Sequence, residues 1–413
     1  MQSSVITKKT DWFSIMQFGF SLLGGILLSI LAFIVFTAAV MNLFGNPHDS
    51  SGYEGFFILT GGLLTCALLL CPSAGYALAQ VFDFHLPSLP TRTAQKILPW
   101  IILVLPVDLI IGNWLSNLAD FGWIFLPGFH ILALGIPILW MIYLGTSHIP
   151  SSSPQRRWGL FSVGLTLSPL VIIVIEMLVI GVFILAAIIW LSSDAQLLND
   201  LYQFTQEFNN GLLNPEEVYE KVLPYVSHPI VYLATMAFSS LMVPLIEEAI
   251  KPLGVWFLLR KKMSPAEGFI AGLLCGAGYG MFENVTLSYN TQDWLSTVVG
   301  RMGTSLIHMA TTGFVGWGLI CAWQHKKYLQ LLAAYLLAVS VHGLWNGLAI
   351  TFGFASLLEN HAPIAIERVG LAAPSGLFVL AIAAFLFIVI SNRQLRKQSA
   401  GLIENLNSHQ VQE

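Results

Sequence analysis

The sequence predicts an all-α polytopic membrane protein of about ten transmembrane helices, on three observations. Of its 413 residues 56% are hydrophobic and only 10% are charged, against the roughly 25% charged that a soluble globular chain carries. Apolar runs long enough to cross about 30 Å of hydrocarbon recur at 17–44, 54–81, 98–114, 123–145, 158–191, 229–259, 265–289, 296–323, 328–352 and 372–391. The basic residues alternate with those runs. With the N-terminus inside, the cytoplasmic loops hold Lys8, Lys9, Arg92, Lys96, Arg156, Arg157, Arg260, Lys261, Lys262, Lys326, Lys327, Arg393, Arg396 and Lys397, while only Lys221 and Arg368 fall outside. That is the positive-inside asymmetry of a multi-pass protein of the cell membrane with both termini cytoplasmic.

In order along the chain, Lys8 and Lys9 precede an apolar run much longer than the roughly 7–15 residues of a cleavable signal peptide, so it reads as a retained first span. Five spans make an N-terminal membrane region, 1–191, in which Asp108, His130 and Glu176 have no neighbouring motif and read as interhelical polar contacts. The stretch SHIPSSSPQRR, 147–157, is a cytoplasmic linker. Residues 192–228 form an extracytoplasmic amphipathic linker, with Leu197, Leu201, Phe204 and Phe208 at helical spacing, and Asn214, Pro215 and Glu217 as N-cap, first-turn proline and capping-box acid. Two short helices are expected there, as a membrane-surface cover or as a substrate gate. A second membrane domain covers 229–391 and a polar cytoplasmic tail 392–413.

Cys66, Cys71, Cys275 and Cys321 all lie in apolar runs without CxxC spacing, which suggests neither a disulfide framework nor a thiolate metal site. A net charge of -4 without a basic stripe argues against a nucleic-acid partner. The bilayer itself is the first partner.

The second half departs from lipid solubility in four consecutive spans. Each ionised side chain near a bilayer centre costs roughly 2.5–3.5 kcal/mol on insertion scales, so such residues mark a protein interior or a watery cavity. Glu247, Glu248 and Lys251 stand in LIEEAIKPLG, Glu283 in GAGYGMFEN, His308 in SLIHMATTG and His342 with Asn346 in VHGLWNG. Counted from the basic loops at helical rise, all can meet in one layer. Tyr279 with Glu283, His308 with Thr312 and His342 with Asn346 are i,i+4 pairs on single helix faces. Gly268, Gly272, Gly276 and Gly280 form a ladder that admits close approach of a neighbouring helix. Pro244, just before the glutamate pair, is placed to kink its helix.

Carboxylates and neutral imidazoles in a dry pocket are ordinary zinc ligands. A catalytic zinc keeps one position for water and lowers its pKa to about 7, while a nearby glutamate can take the proton. Each residue also has a plainer reading: a lone intramembrane histidine or glutamate is commonly a helix-helix hydrogen bond, and Glu248 with Lys251 could be a structural ion pair. Convergence of four spans favours a site. The GYG at 278–280 lies inside a continuous helical run without a pore loop, so a potassium filter is rejected. HExxH, GxSxG and GxGD are all missing from the sequence.

These blocks resemble the PrsW family of intramembrane metalloproteases, relatives of the type II CAAX prenyl endopeptidases. EEAIK at 247–251 resembles the family's EExxK, YGMFEN at 279–284 its FxxxEN, HMATT at 308–312 its HxxxT, and HGLWN at 342–346 its HxxWN. The resemblance covers roughly 229–352, with Tyr279 standing where the family pattern has phenylalanine. It implies a metal-dependent endopeptidase, with zinc expected from the ligand types, acting on a membrane-embedded or membrane-adjacent protein. On this reading Glu247 is the general base, Glu248 its partner near Lys251, Asn346 the group orienting water or the scissile carbonyl, and Glu283, His308 and His342 the metal ligands. The i,i+4 spacing of Glu247 and Lys251 would instead leave Glu248 as base; the CAAX resemblance favours Glu247. Two other classes share these features. A proton-coupled transporter also uses intramembrane Glu, His and Arg, although inverted repeats are not evident. A noncatalytic scaffold or chaperone of the same superfamily would keep the fold without the chemistry.

Overall fold

The computed structural model describes residues 12–45, 53–84, 86, 96–118, 122–149, 152–193, 195–285, 293–358 and 361–410. Lys8, Lys9 and Arg92 of the charge pattern lie outside them. The described residues are helical almost throughout and contain no strand. Among the described residues twelve helices follow one another: α1 Trp12–Gly45, α2 Tyr53–Phe82, α3 Leu98–Ser116, α4 Gly122–Thr146, α5 Pro154–Ser192, α6 Ala195–Asn209, α7 Pro215–Val226, α8 Pro229–Leu258, α9 Pro265–Val285, α10 Trp294–His325, α11 Tyr328–Leu358 and α12 Ile364–Gln410. Nine of these are long and apolar enough to cross a membrane among the described residues, and the chain is an integral multi-pass membrane protein. The seventh predicted run appears as α9. It is buried along nearly its whole length, so its surface meets protein rather than lipid and its glycine-rich sequence need not be strongly apolar.

Two of the long helices contain a π-helical turn, Val163–Leu167 in α5 and Phe238–Met242 in α8. Each closes on the residue before a proline: the Ser168 N–H reaches back to the Val163 carbonyl and the Val243 N–H to the Phe238 carbonyl. Pro169 and Pro244 cannot donate to the fourth carbonyl behind them and would clash with it in an α-helix, so a widened turn accommodates the ring. Helix α8 breaks again at Lys251 and Pro252, before the turn Leu253–Leu258.

The chain divides into two compact units. The first comprises Met1–Pro169, Lys251–Tyr335 and Ala383–Glu413, the second Leu170–Ile250 and Leu336–Ile382.

Within the first unit the glycine ladder of α9 lies against α10. A Cβ at Gly268 would come 2.7 Å from the Gly316 carbonyl oxygen, at Gly272 2.2 Å from that of Thr312, and at Gly276 2.5 Å from that of His308. Antiparallel backbones in near contact leave no room for side chains there, and the fit fixes the height of His308 against α9. At the basic-loop end, the Gln17 amide donates to the Ser73 hydroxyl at 3.1 Å, and the Ser21 and Ser162 hydroxyls lie 3.0 Å apart. The His130 Nδ1 accepts from the Trp294 indole N–H at 3.2 Å, an interhelical contact as expected. Beyond the tenth predicted span α12 continues as helix to Gln410, and the buried Asn392 donates to the carbonyls of Gly145 and Ser147 at 3.0 and 3.1 Å. The four cysteines are unpaired thiols.

In the second unit α6 and α7 are the two short helices expected in 192–228. The Asn214 side chain accepts from the Glu217 N–H and the Glu217 carboxylate from the Asn214 N–H, both at 2.9 Å, which completes the capping box. Tyr219 donates to the Leu357 carbonyl and the Tyr232 hydroxyl lies 3.0 Å from that of Thr351, tying α7 and α8 to α11.

Candidate functional site

The polar residues singled out in the sequence are taken unit by unit.

In the second unit α8 brings Glu247 and Glu248, and α11 brings His342; all three are buried. His342 Nδ1 lies 2.9 Å from Glu248 Oε1, a hydrogen bond. A carboxylate only accepts, so the ring proton stands on Nδ1 and Nε2 presents its lone pair. That nitrogen faces Glu247 Oε2 at 3.8 Å, too long for a hydrogen bond. A zinc–nitrogen bond is roughly 2.0–2.1 Å, so an ion held by Nε2 would lie beside the Glu247 carboxylate. A carboxylate behind the distal ring nitrogen is the usual outer partner of a metal-ligating histidine. The donor set therefore fits a borderline or hard divalent cation.

The π-turn of α8 shapes this cluster. Because the Val243 N–H is drawn to Phe238, the Ser239 carbonyl loses its ordinary helical donor, and the Asn346 amide donates to it at 2.9 Å. One turn away, a Cβ at Gly343 would lie 2.3 Å from the Ser240 carbonyl oxygen. The HGLWN block thus packs backbone to backbone against the widened turn, with His342 beside the contact.

In the first unit His308 stands between opposite charges. Its Nδ1 lies 2.7 Å from Lys251 Nζ, and its Nε2 bonds to Glu283 Oε2. Lys251 can only donate, so Nδ1 accepts and Nε2 carries the proton toward the carboxylate. Arg301 Nη1 donates to the other Glu283 oxygen at 3.0 Å, giving the order Lys251, His308, Glu283, Arg301. Lys251 is fully buried, while Glu283 and Arg301 are about one-quarter exposed at their side chains. The Lys251 ammonium also sits 4.7 Å from the Tyr279 ring centroid, and that ring meets His308 edge-on at 5.2 Å. The aromatic ring that meets the ammonium is common to tyrosine and phenylalanine. Asn284 donates to the Arg301 carbonyl at 3.3 Å and bonds the Ser305 hydroxyl, holding the end of α9 to α10.

All six sequence-predicted site residues are thus accounted for: Glu247, Glu248 and His342 lie together, Glu283 and His308 lie together, and Asn346 spans from α11 to α8. Arg301 lies within the predicted run 296–323 and belongs to none of the four motif blocks. Its partner lies 18 positions away, beyond any one-helix spacing rule.

A family model described as PrsW family intramembrane metalloprotease matches residues 173–390, just over half of the chain. No curated protein matches the chain. No solved structure matches it either.

Proposed function

This chain belongs to the PrsW family of intramembrane metalloproteases, and from that premise we propose that it is a metal-dependent endopeptidase hydrolysing a peptide bond of a membrane-embedded or membrane-adjacent protein. The observation that carries the reading is the buried Glu247, Glu248 and His342 cluster, in which one carboxyl sets the histidine tautomer and the other faces the ring lone pair. When bound, a divalent cation, zinc by the nitrogen and oxygen character of the donors, supplies Lewis acidity at a carbonyl and makes a water easier to deprotonate.

Glu247 acts as general base. Its Oε2 takes a proton from the attacking water as the water oxygen bonds to the scissile carbonyl carbon, and returns that proton to the amide nitrogen as the C–N bond breaks. Glu248 keeps the proton of His342 on Nδ1. Asn346 carries two amide hydrogens; one is engaged on Ser239, and the other is available to a scissile carbonyl. The motif blocks imply Glu283 and His308 as further metal ligands. The basic-loop arithmetic supports cytoplasmic termini.

Glu247→Gln tests the reading, because the amide keeps the shape but cannot take the proton. The purified variant should retain bound zinc, measured by elemental analysis, and lose cleavage by at least about 100-fold. The substrate for the assay is a membrane protein that accumulates intact in cells lacking this chain. Normal cleavage by Glu247→Gln would overturn the base assignment. Wild-type protein that binds no divalent metal would leave a noncatalytic scaffold.

A further inference from the structure

We propose that the first unit binds one anionic glycerophospholipid, its phosphate held by Arg156 and Lys261 and an acyl chain lodged between α1, α5 and the turn Leu253–Leu258. An apolar groove runs there, walled by Met16 and Phe20, by Val163 and Leu167, and by Phe257 and Leu258. At its end a polar pocket shares Phe13, Arg156 and Leu258 with the groove and adds Ser152, Ser153, Gln155 and Lys261. A long apolar slot that ends in a basic, hydroxyl-lined mouth has the two-part chemistry of a lipid with a charged head.

Arg156 carries the argument. Its Nε and Nη2 are buried and make no hydrogen bond among the described residues. Its Nη1 stands 3.7 Å from Glu267 Oε1, beyond hydrogen-bond reach. Nε–H and Nη2–H lie side by side on one edge of the guanidinium, the fork that grips two oxygens of a phosphate. Burying such donors without an acceptor is unfavourable, and a phosphodiester would supply one. The second cation is Lys261, exposed, with its Nζ 4.8 Å from the Phe13 ring centroid at the same mouth. Two cations favour a headgroup with net negative charge over a zwitterionic one, whose own cation would be repelled. Basic pockets between membrane helices on the side of the positively charged loops are where anionic headgroups bind. The apolar walls, in turn, have nothing to offer a free anion.

The test uses the full chain purified in detergent, native mass spectrometry, and phosphatidylglycerol against phosphatidylcholine with identical chains. We expect one phosphatidylglycerol to be retained in preference by roughly tenfold or more. R156Q/K261Q should abolish the preference. T166W, which fills the groove and leaves both cations, should weaken retention of either lipid. Free glycerol phosphate should fail to displace the bound lipid. Equal retention of the two lipids, or a preference surviving in R156Q/K261Q, would overturn the proposal. Displacement by glycerol phosphate would do the same, by making this a soluble-anion site. Should the double variant misfold by its melting profile, K261Q alone decides, because its exposed side chain leaves the packing intact; an unreduced preference there counts against the site.

Discussion

The two polar clusters use the same residue types and differ in what surrounds their histidines. His342 meets two carboxyl groups. His308 has an ammonium on one ring nitrogen and a carboxylate on the other, with a guanidinium behind that carboxylate. Around His342 a ring nitrogen and a carboxyl oxygen of Glu247 face each other across 3.8 Å. Around His308 an ammonium and a guanidinium accompany the single carboxylate. Histidine and glutamate at helical mid-depth therefore do not by themselves identify a metal centre; the tautomer forced by the neighbours does. A carboxylate behind the ring prepares it as a ligand, whereas an ammonium there occupies the electron pair.

That difference could not be read from the chain. The four blocks, the glycine ladder and the capping box were legible because each depends on local spacing: Gly268 to Gly280 recur every fourth residue, and Asn214 stands three before Glu217. The helix ends were legible to within a few residues where charges stop, but α12 runs through Arg393, Arg396 and Lys397 to Gln410, since charge ends lipid solubility without ending a helix. The pairs Lys251 with His308, Arg301 with Glu283 and Glu248 with His342 join residues 57, 18 and 94 positions apart. Only tertiary packing sets them. Pro244 announced an irregular helix and Pro169 was not singled out, and the shifted hydrogen bonds at Val163 and Phe238 follow from how each helix absorbs its proline.

The sharpest way to break the comparison is to remove each histidine. We expect H342A to lower zinc affinity by more than the roughly 100-fold that outer partners command, leaving purified protein nearly metal-free. H308A should weaken binding less, because its ring must first release a protein partner. Elemental analysis after dialysis at a series of zinc concentrations separates the two. Wild-type affinity in H308A would remove His308 from the ligand set and make the first cluster a charge network alone. Equal and complete loss in both would erase the distinction drawn above.

Next in size is Glu248→Gln. If this carboxyl only fixes the proton on His342 Nδ1, the amide weakens that control without removing a ligand, and zinc affinity should fall by about 10–100-fold. Cleavage at saturating zinc should largely recover. Failure to recover would shift the base role toward Glu248, as the Glu247 and Lys251 spacing allows.

A smaller effect is expected in the other cluster from Arg301→Gln. The pair with Glu283 is about one-quarter exposed on both sides, and partly solvated pairs are worth roughly 1 kcal/mol or less. Thermal melting should shift by no more than that implies, and zinc content should hold. A large loss of zinc would show that Arg301 positions Glu283 as a ligand, giving the first cluster a metal role beyond charge balance.

The smallest expected effect belongs to Asn346, which stands one helical turn after His342 and reaches from α11 to the π-turn of α8. Its bond to the Ser239 carbonyl takes the place of the donor that the widened turn withdrew, so Asn346→Ala should cost about 1 kcal/mol of stability. If the second amide hydrogen also serves a scissile carbonyl, kcat should fall by about tenfold, equivalent to roughly 1.4 kcal/mol of barrier, with zinc affinity unchanged. Asn346→Asp separates the two duties. An ionised aspartate accepts only, so it would repel the Ser239 carbonyl and lose both contacts, and both melting and kcat should worsen relative to alanine. A variant that melts earlier yet cleaves at the wild-type rate would confine Asn346 to bracing α11 against α8. The second cluster would then have no amide donor from this position, and its chemistry would rest on Glu247, Glu248 and His342.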